Sequence, residues 1–318
     1  MITLEPCQYA TNQPGPDGET SSTYALNPLS MLAHPIQQSV MPLIVKFGAE
    51  WYPVGTGFVI SNDLIVTAGH VLDYAESKKR RVNDGTGRFY DHYELYALYL
   101  RDEEIPGAGA RIGGVLSIEQ VWRPVETDIG FCRFRNLIRG DTGDLLQVPA
   151  LRLSPGVPHV GEAIAAVGYY AMETEFVDED ALVVHHAQRT AVATGNITAL
   201  HPSGGRMGRF PVFQSSAPVD AGMSGGPIFN REGNVCGVCS WSIAPTDGCS
   251  EWESYGSLLF PAMGAEIDVV DAPGTPASRI LIADLVRRGA IPVDQSFEDV
   301  HVVQLADGRR TVSVRQRR

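Results

Sequence analysis

The sequence predicts an all-β fold of two six-stranded antiparallel β-barrels, followed by a C-terminal helix and hairpin extension. Three observations predict it. Glycine (33) and proline (21) exceed average usage and are spread along the 318 residues, as in chains of short strands and many turns. Roughly six short strand-like segments lie on each side of a weakly periodic stretch, and closure into barrels would remove their exposed edges. Beyond Gly264 the apolar period shifts from two towards 3.6.

Residues 1–40 form an irregular arm, rich in Pro, Gly, Ser and Thr at its start. The first barrel is expected over 41–145. Leu43 to Phe47 is its first strand, Trp51 to Ile60 the second and Leu64 to Thr67 the third, with Ser61-Asn62-Asp63 as a hairpin connection. Gly55 and Gly57 permit the sharp curvature of a small barrel. Residues 76–88, with Lys78-Lys79-Arg80-Arg81, read as a solvated loop. Tyr90 to Leu100, Gly114 to Glu119 and Asp128 to Phe134 resume the strand texture, and 136–158 reads as a linker.

The second barrel is expected over 146–262, from Ala163 to Tyr169, Leu182 to Ala193, Ile197 to Leu200, Pro227 to Phe229, Val235 to Trp241 and Ser254 to Phe260. In the extension over 263–318, Ala277 to Arg288 fits a helix with Gly289 as its C′ cap, and Val300 to Leu305 pairs with Thr311 to Val314 about Asp307-Gly308.

Hydrophobic residues make up 44% and charged residues 19%, which excludes a disordered or coiled-coil chain. With 25 basic against 37 acidic residues the net charge is −12, so nonspecific binding to phosphate backbones is not expected. No apolar run approaches the length of a bilayer span, and Met1 to Gly15 lacks the pattern of a signal peptide. Cys7, Cys132, Cys236, Cys239 and Cys249 are too few and too uneven for a disulfide framework. These features lead to the expectation of free thiols in a reducing compartment and a cytoplasmic location.

Chemistry is carried by three distant segments. His70 ends Thr67-Ala68-Gly69-His70, directly after a strand; Asp128 lies in Thr127-Asp128-Ile129-Gly130, just before one; Ser224 lies in Gly222-Met223-Ser224-Gly225-Gly226-Pro227. A hydroxyl holds its proton too tightly to attack a carbonyl at neutral pH. It needs an imidazole to take the proton, and the imidazole needs a buried carboxylate to fix its tautomer and stabilise its cation. The negative charge of an acyl-transfer intermediate needs converging backbone N–H groups, and the tight turn at Ser224 offers those of Gly222 and Ser224. Spaced 58 and 96 residues apart in His–Asp–Ser order, each at a strand end, the three are much more informative together than singly.

On these residues the chain resembles the chymotrypsin-like (trypsin-fold) serine proteases, in the intracellular or bacterial branch with sparse disulfides. The resemblance covers about residues 41–262. Thr67-Ala68-Gly69-His70, Asp128-Ile129-Gly130 and Gly222 to Pro227 match the family's histidine, aspartate and serine segments. Cys239-Ser240-Trp241-Ser242 matches its Val-Ser-Trp-Gly strand. The resemblance implies a cleft between barrels, with His70 and Asp128 from the first and Ser224 from the second, and Ser240 hydrogen-bonded near Asp128. It implies Pro218, Val219, Ser240, Trp241 and Ser242 as substrate-binding residues, with Ser240 to Ser242 pairing with substrate as an added strand.

Some positions depart from the family. Met223 stands where animal digestive members have the aspartate that pairs with a newly cut N-terminus, so activation by that ion pair is not implied. Pro218 occupies the place of trypsin's aspartate, and Cys239 that of the histidine in glutamate-specific relatives. A medium apolar pocket is therefore expected, with Asp220 close by and Ser242 narrowing its mouth. The expected function is a serine endopeptidase that acts on polypeptides without a cofactor or metal. A silent peptide-binding module on the same fold and an esterase are the alternatives. The extension either braces the second barrel or docks a dedicated partner protein. Cys236 and Cys239, three apart on a strand, read as buried small hydrophobes, or as one local bridge between Cys239 and Cys249, rather than zinc ligands. His185-His186 read as strand histidines, Glu173 to Asp180 as a solvated acidic stretch, and Gly204 to Gly208 as a flexible rim loop.

Overall fold

The computed structural model describes residues 23–25, 38–47, 50–83, 89–104, 111–135, 148–178, 183–204, 208–244, 252–269, 277–305 and 310–315. Six strands close the first barrel: β2 (Val40–Phe47), β3 (Glu50–Val59), β4 (Leu64–Ala68), β7 (Glu94–Glu104), β8 (Arg111–Trp122) and β9 (Ile129–Phe134), in the order β2-β3-β4-β9-β8-β7. The hairpin of β5 (Arg80–Asn83) and β6 (Phe89–His92) stands beside it. β4 is buried along its whole length, because a helix covers its end: α1 (Gly69–Ser77) buries Gly69, Val71, Leu72 and Ala75, spaced to lie on one helical face.

The second barrel also closes with six strands. They are β10 (Ala163–Asp178), β11 (Val183–His201), β12 (Val212–Ser215), β13 (Pro227–Phe229), β14 (Val235–Ile243) and β15 (Glu253–Leu258). The ring runs β11-β10-β13-β14-β15-β12 and closes through the β11–β12 pairing. The arm adds a short strand, β1 (Thr23–Ala25), to the outer side of β11. A long hairpin of β10 and β11 replaces the shorter strands expected there, and the two segments predicted at 182–193 and 197–200 are one continuous strand. The barrels meet where the buried Tyr169 of β10 donates its phenol to the Val40 carbonyl of β2, 2.7 Å away.

Three expectations are corrected. The helix expected over Ala277–Arg288 is strand β17 (Ser278–Leu281), paired with β16 (Glu266–Val269), followed by the shorter helix α2 (Ile282–Arg287). Branched Ile280 serves the strand, while Ile282, Leu285 and Val286 pack inward from the helix. Gly289 does cap it, with φ +76° and its amide on Val286 O. The basic run is not one solvated loop: Lys78 lies between the rings of Tyr52 and Tyr74, at 4.9 and 4.7 Å, Lys79 lies over Tyr93, and Arg80 and Arg81 enter β5. Residues 148–154 do more than link, since Leu153 is buried and bridges both Val235 and Val293.

The final strands β18 (Val300–Gln304) and β19 (Arg310–Val314) pair as a hairpin, while Asp307-Gly308 lie outside the described residues. Val302, Val312 and Val314 pack against the main core, which runs through both barrels and the extension. Among the described residues no helix is long and apolar enough to cross a membrane. Cys132, Cys236 and Cys239 are buried free thiols, so Cys239 does not form the local bridge considered above; Cys249 lies outside the described residues.

Candidate active site

Barrel ends deliver the three sequence-singled residues to one place. β4 runs into α1, and His70 is the second residue of that helix. Asp128 precedes β9 and is 1% exposed. The carboxylate is bound from several sides: His70 Nδ1 lies 2.8 Å from Oδ2, the His70 amide donates to Oδ1 at 2.9 Å, and Ser240 donates its hydroxyl to Oδ2. The Asp128 carbonyl also accepts the Gly69 amide at 2.9 Å. Burial, the largest single influence, pushes the Asp128 carboxyl upward. Hydrogen bonding from the His70 ring, its charge when protonated, and the Ser240 and His70 amide donors together outweigh burial and hold the carboxyl below the usual range. An ionised Asp128 fixes the proton of neutral His70 on Nδ1 and leaves Nε2 for the cleft.

Ser224 sits on the turn that enters β13. Its hydroxyl donates to Ser240 O at 3.2 Å. Gly222 has φ +96°, a backbone region that only glycine enters freely. A Cβ there would stand 2.7 Å from Tyr169 O. The Met223 amide is taken by Asp220 O at 3.1 Å, whereas those of Gly222 and Ser224 have no acceptor among the described residues. Two unpaired N–H groups flanking a held peptide are the arrangement that can receive a developing oxyanion.

The expected substrate-binding residues divide into a wall and an edge. Pro218 and Val219 are buried, and the Val219 amide donates to Ser254 Oγ at 3.3 Å. Ser240 is buried under Asp128, while Trp241 and Ser242 are partly exposed. Trp241 and Ser242 pair on one side with Tyr255 and Ser254 of β15. No described strand pairs with their other edge, which leaves backbone groups open to an extended chain. The Trp241 indole stacks on His70, with centroids 5.9 Å apart and planes 23° apart. Gly208 lies so close to the indole that a Cβ there would come within 2.6 Å of it; residues 205–207 of the rim loop lie outside the described set. Met223 is fully buried, and its sulfur accepts the Asp220 amide at 3.4 Å.

Sequence reasoning missed Arg123 and Thr56. Arg123 is bidentate to Asp73 at 3.0 and 2.8 Å and lies 4.0 Å from Asp128 Oδ1. Thr56 donates its hydroxyl to Gly222 O at 2.8 Å. Neither carries a motif; only Gly55-Thr56-Gly57 in a strand hinted at a close backbone approach. Among the described residues no cluster of His, Cys, Asp and Glu has the makings of a metal site.

Residues 55–238, more than half of the chain, match the trypsin-like peptidase domain family. No curated protein matches the sequence. Among solved structures, the chain is similar to the MamO protease domain from Magnetospirillum magneticum (apo form), at 16% identity and a TM-score of 0.44, over 71% of this chain and 94% of that one. It is also similar to the HtrA-type protease AlgW with tripeptide, at 16% identity and a TM-score of 0.42, over 72% of this chain and 59% of that one. The chain therefore spans under two thirds of that second protein.

Proposed function

The chain belongs to the trypsin-like peptidase domain family, and from that premise we propose that it is a serine endopeptidase working through an acyl-enzyme on Ser224. His70 takes the Ser224 proton as the hydroxyl oxygen attacks the scissile carbonyl, then gives it to the leaving amine. Asp128 holds the imidazole in the required tautomer and stabilises its cation. The Gly222 and Ser224 amides receive the oxyanion. Water, deprotonated by His70, releases the acyl group. The outer edge of β14 at Trp241 and Ser242 binds the substrate backbone as an added strand. Val219 and Pro218 line the pocket for the side chain before the cut, which favours a medium apolar residue.

The observation that carries this reading is the 2.8 Å contact of His70 Nδ1 with a carboxylate 1% exposed, beside a serine whose own amide and that of Gly222 have no acceptor among the described residues. Labelling with a fluorophosphonate probe tests it. Label on the full chain that disappears in Ser224→Ala, together with cleavage of a denatured proteome, is the expected result; cleavage that persists unchanged in that variant overturns the proposal.

One observation favours a second reading, a silent peptide-binding module: the Ser224 hydroxyl points to Ser240 O at 3.2 Å. On that reading the edge of β14 would hold a peptide that the serine never attacks. Peptide binding by the wild type without any fluorophosphonate label would favour it.

A further inference from the structure

The turn that carries the two free amides is held from the opposite barrel. Thr56, fully buried in β3, makes four hydrogen bonds at the seam between the barrels. Its amide donates to Ser224 O at 2.8 Å, and its carbonyl accepts the Thr67 hydroxyl at 2.7 Å. Its hydroxyl donates to Gly222 O at 2.8 Å and accepts the Tyr169 amide at 3.1 Å. The direction of that hydroxyl proton is forced. A backbone N–H only donates and a carbonyl only accepts, so Tyr169 leaves the Thr56 proton one destination, the Gly222 carbonyl. The branched side chain adds stiffness at χ1.

The Gly222 carbonyl belongs to the peptide that joins Gly222 to Met223, and the N–H of the same peptide is held by Asp220 O at 3.1 Å. A peptide unit is planar. Holding both ends restrains ψ of Gly222 and φ of Met223, two of the four dihedrals that set how the Gly222 and Ser224 amides point relative to each other. Glycine at φ +96° would otherwise let that peptide rotate at little cost.

We propose that Thr56 is a positioning residue for oxyanion stabilisation, its hydroxyl setting the Gly222–Met223 peptide so that the Gly222 and Ser224 amides converge on one point. The inference rests on the proposed peptidase function and deepens it. It makes one barrel responsible for the geometry of a hole built wholly from backbone of the other.

Thr56→Val keeps the shape and removes the hydroxyl; Thr56→Ser keeps the hydroxyl. With a fluorogenic peptide taken from the best-cleaved site of a denatured proteome, Thr56→Val is expected to lower kcat about ten- to a hundredfold while KM stays within about twofold. Thr56→Ser is expected to recover most of the loss. Affinity for a peptide aldehyde, whose adduct with Ser224 carries the oxyanion, falls by the same factor as kcat, while affinity for the matching peptide alcohol stays. Unchanged kcat, or aldehyde and alcohol weakened alike, overturns the proposal. Thr56→Ala, with room for a water, is read in the same way if the valine variant does not fold. A second measurement needs no activity. In the full-length Ser224→Ala protein, adding Thr56→Val is expected to speed amide hydrogen exchange across residues 221–226 about tenfold or more, and unchanged exchange overturns the clamp. A wild type without fluorophosphonate labelling would sink the proposed function instead, and the exchange result would then decide the Thr56 clamp by itself.

Discussion

Arg123 lies over Gly69 so closely that a Cβ at that glycine would stand 2.4 Å from the guanidinium carbon. The same guanidinium grips Asp73 of α1 and, through Nη1, the Thr127 carbonyl at 3.3 Å. The turn that bears Asp128 is thereby fastened to the helix that bears His70. Absence of a side chain at residue 69 is what allows the fastening.

Gly69→Ala is expected to swing the flexible end of Arg123 aside and cost no more than about 1–2 kcal/mol, the loss of its hydrogen bonds to Asp73 and Thr127. Arg123→Ala removes the obstacle, so the double variant should be more stable than the sum of the two single costs implies. Asp73→Ala alone should cost less than about 1 kcal/mol, because its side chain is 57% exposed. Denaturant melts of the wild type and these four variants check this, and strict additivity of Gly69→Ala with Arg123→Ala would refute the steric account.

Asp128 gives a pH prediction with a definite sign. Its carboxyl titrates lower in the native protein than in the unfolded chain. The ionised form therefore contributes stability that is fully present above the unfolded value of about 3.9 and is lost as pH falls through the lower native value. In Asp128→Asn that contribution is missing. The difference in unfolding free energy between wild type and Asp128→Asn should be flat near neutrality and shrink only in the acid limb. The same variant should lose about 10⁴ in kcat, since an amide no longer enforces the required tautomer of His70. A stability difference that grows on acidification would contradict the assignment.

The described thiols should be silent in the native protein. Burial pushes the Cys132 and Cys239 thiols up to about 12, and burial also raises Cys236. Both access and thiolate population are then minimal at pH 8. In a Cys7→Ser, Cys249→Ser protein, a disulfide-exchange dye should find no thiol in the native state and all three in denaturant. Rapid native labelling would mean that a barrel opens, the first around Cys132 or the second around Cys236 and Cys239.

Much of this was legible in the chain because strand ends and glycine-rich turns are local signals. Pro227 to Phe229 is found as predicted, and His70, Asp128 and Ser224 could be singled out from the residues beside them. The helix α1 was missed although Val71, Leu72 and Ala75 carry its period, because its polar face merges into the basic run that follows. The run itself misled for another reason. Lysines look solvated in a sequence, while Tyr52 and Tyr93, which receive Lys78 and Lys79, come from other segments, and Tyr74 meets Lys78 only once α1 has formed. Thr56 and Arg123 lay beyond local reading altogether: the partners of Thr56 include Gly222, 166 residues away, and Arg123 finds Asp73 across 50. Contacts at such separation leave no local pattern.

The C-terminal extension is the last place where two expectations divide, and its packing favours bracing. Ile291 is 1% exposed and Val300 4%, both within the main core cluster. Just after Ile291, the Pro292 carbonyl accepts the Leu153 amide at 2.9 Å, and Asp294 returns its own amide to Leu153 O at 2.8 Å. Asp294 also caps the short helical turn Gln295–Asp299, and the Ser296 hydroxyl of that turn accepts the Gly156 amide at 3.0 Å. A segment tied this way to residues 153–156 loses its own order only together with part of the second barrel. Ile291→Ala should therefore lower stability by about 2–5 kcal/mol and bring the melting of the whole chain down in one transition. Val303, 44% exposed on β18, is the control: Val303→Ala should stay within about 0.5 kcal/mol. An Ile291→Ala protein that melts like the wild type would detach the extension from the fold, and docking of a partner would become its better explanation.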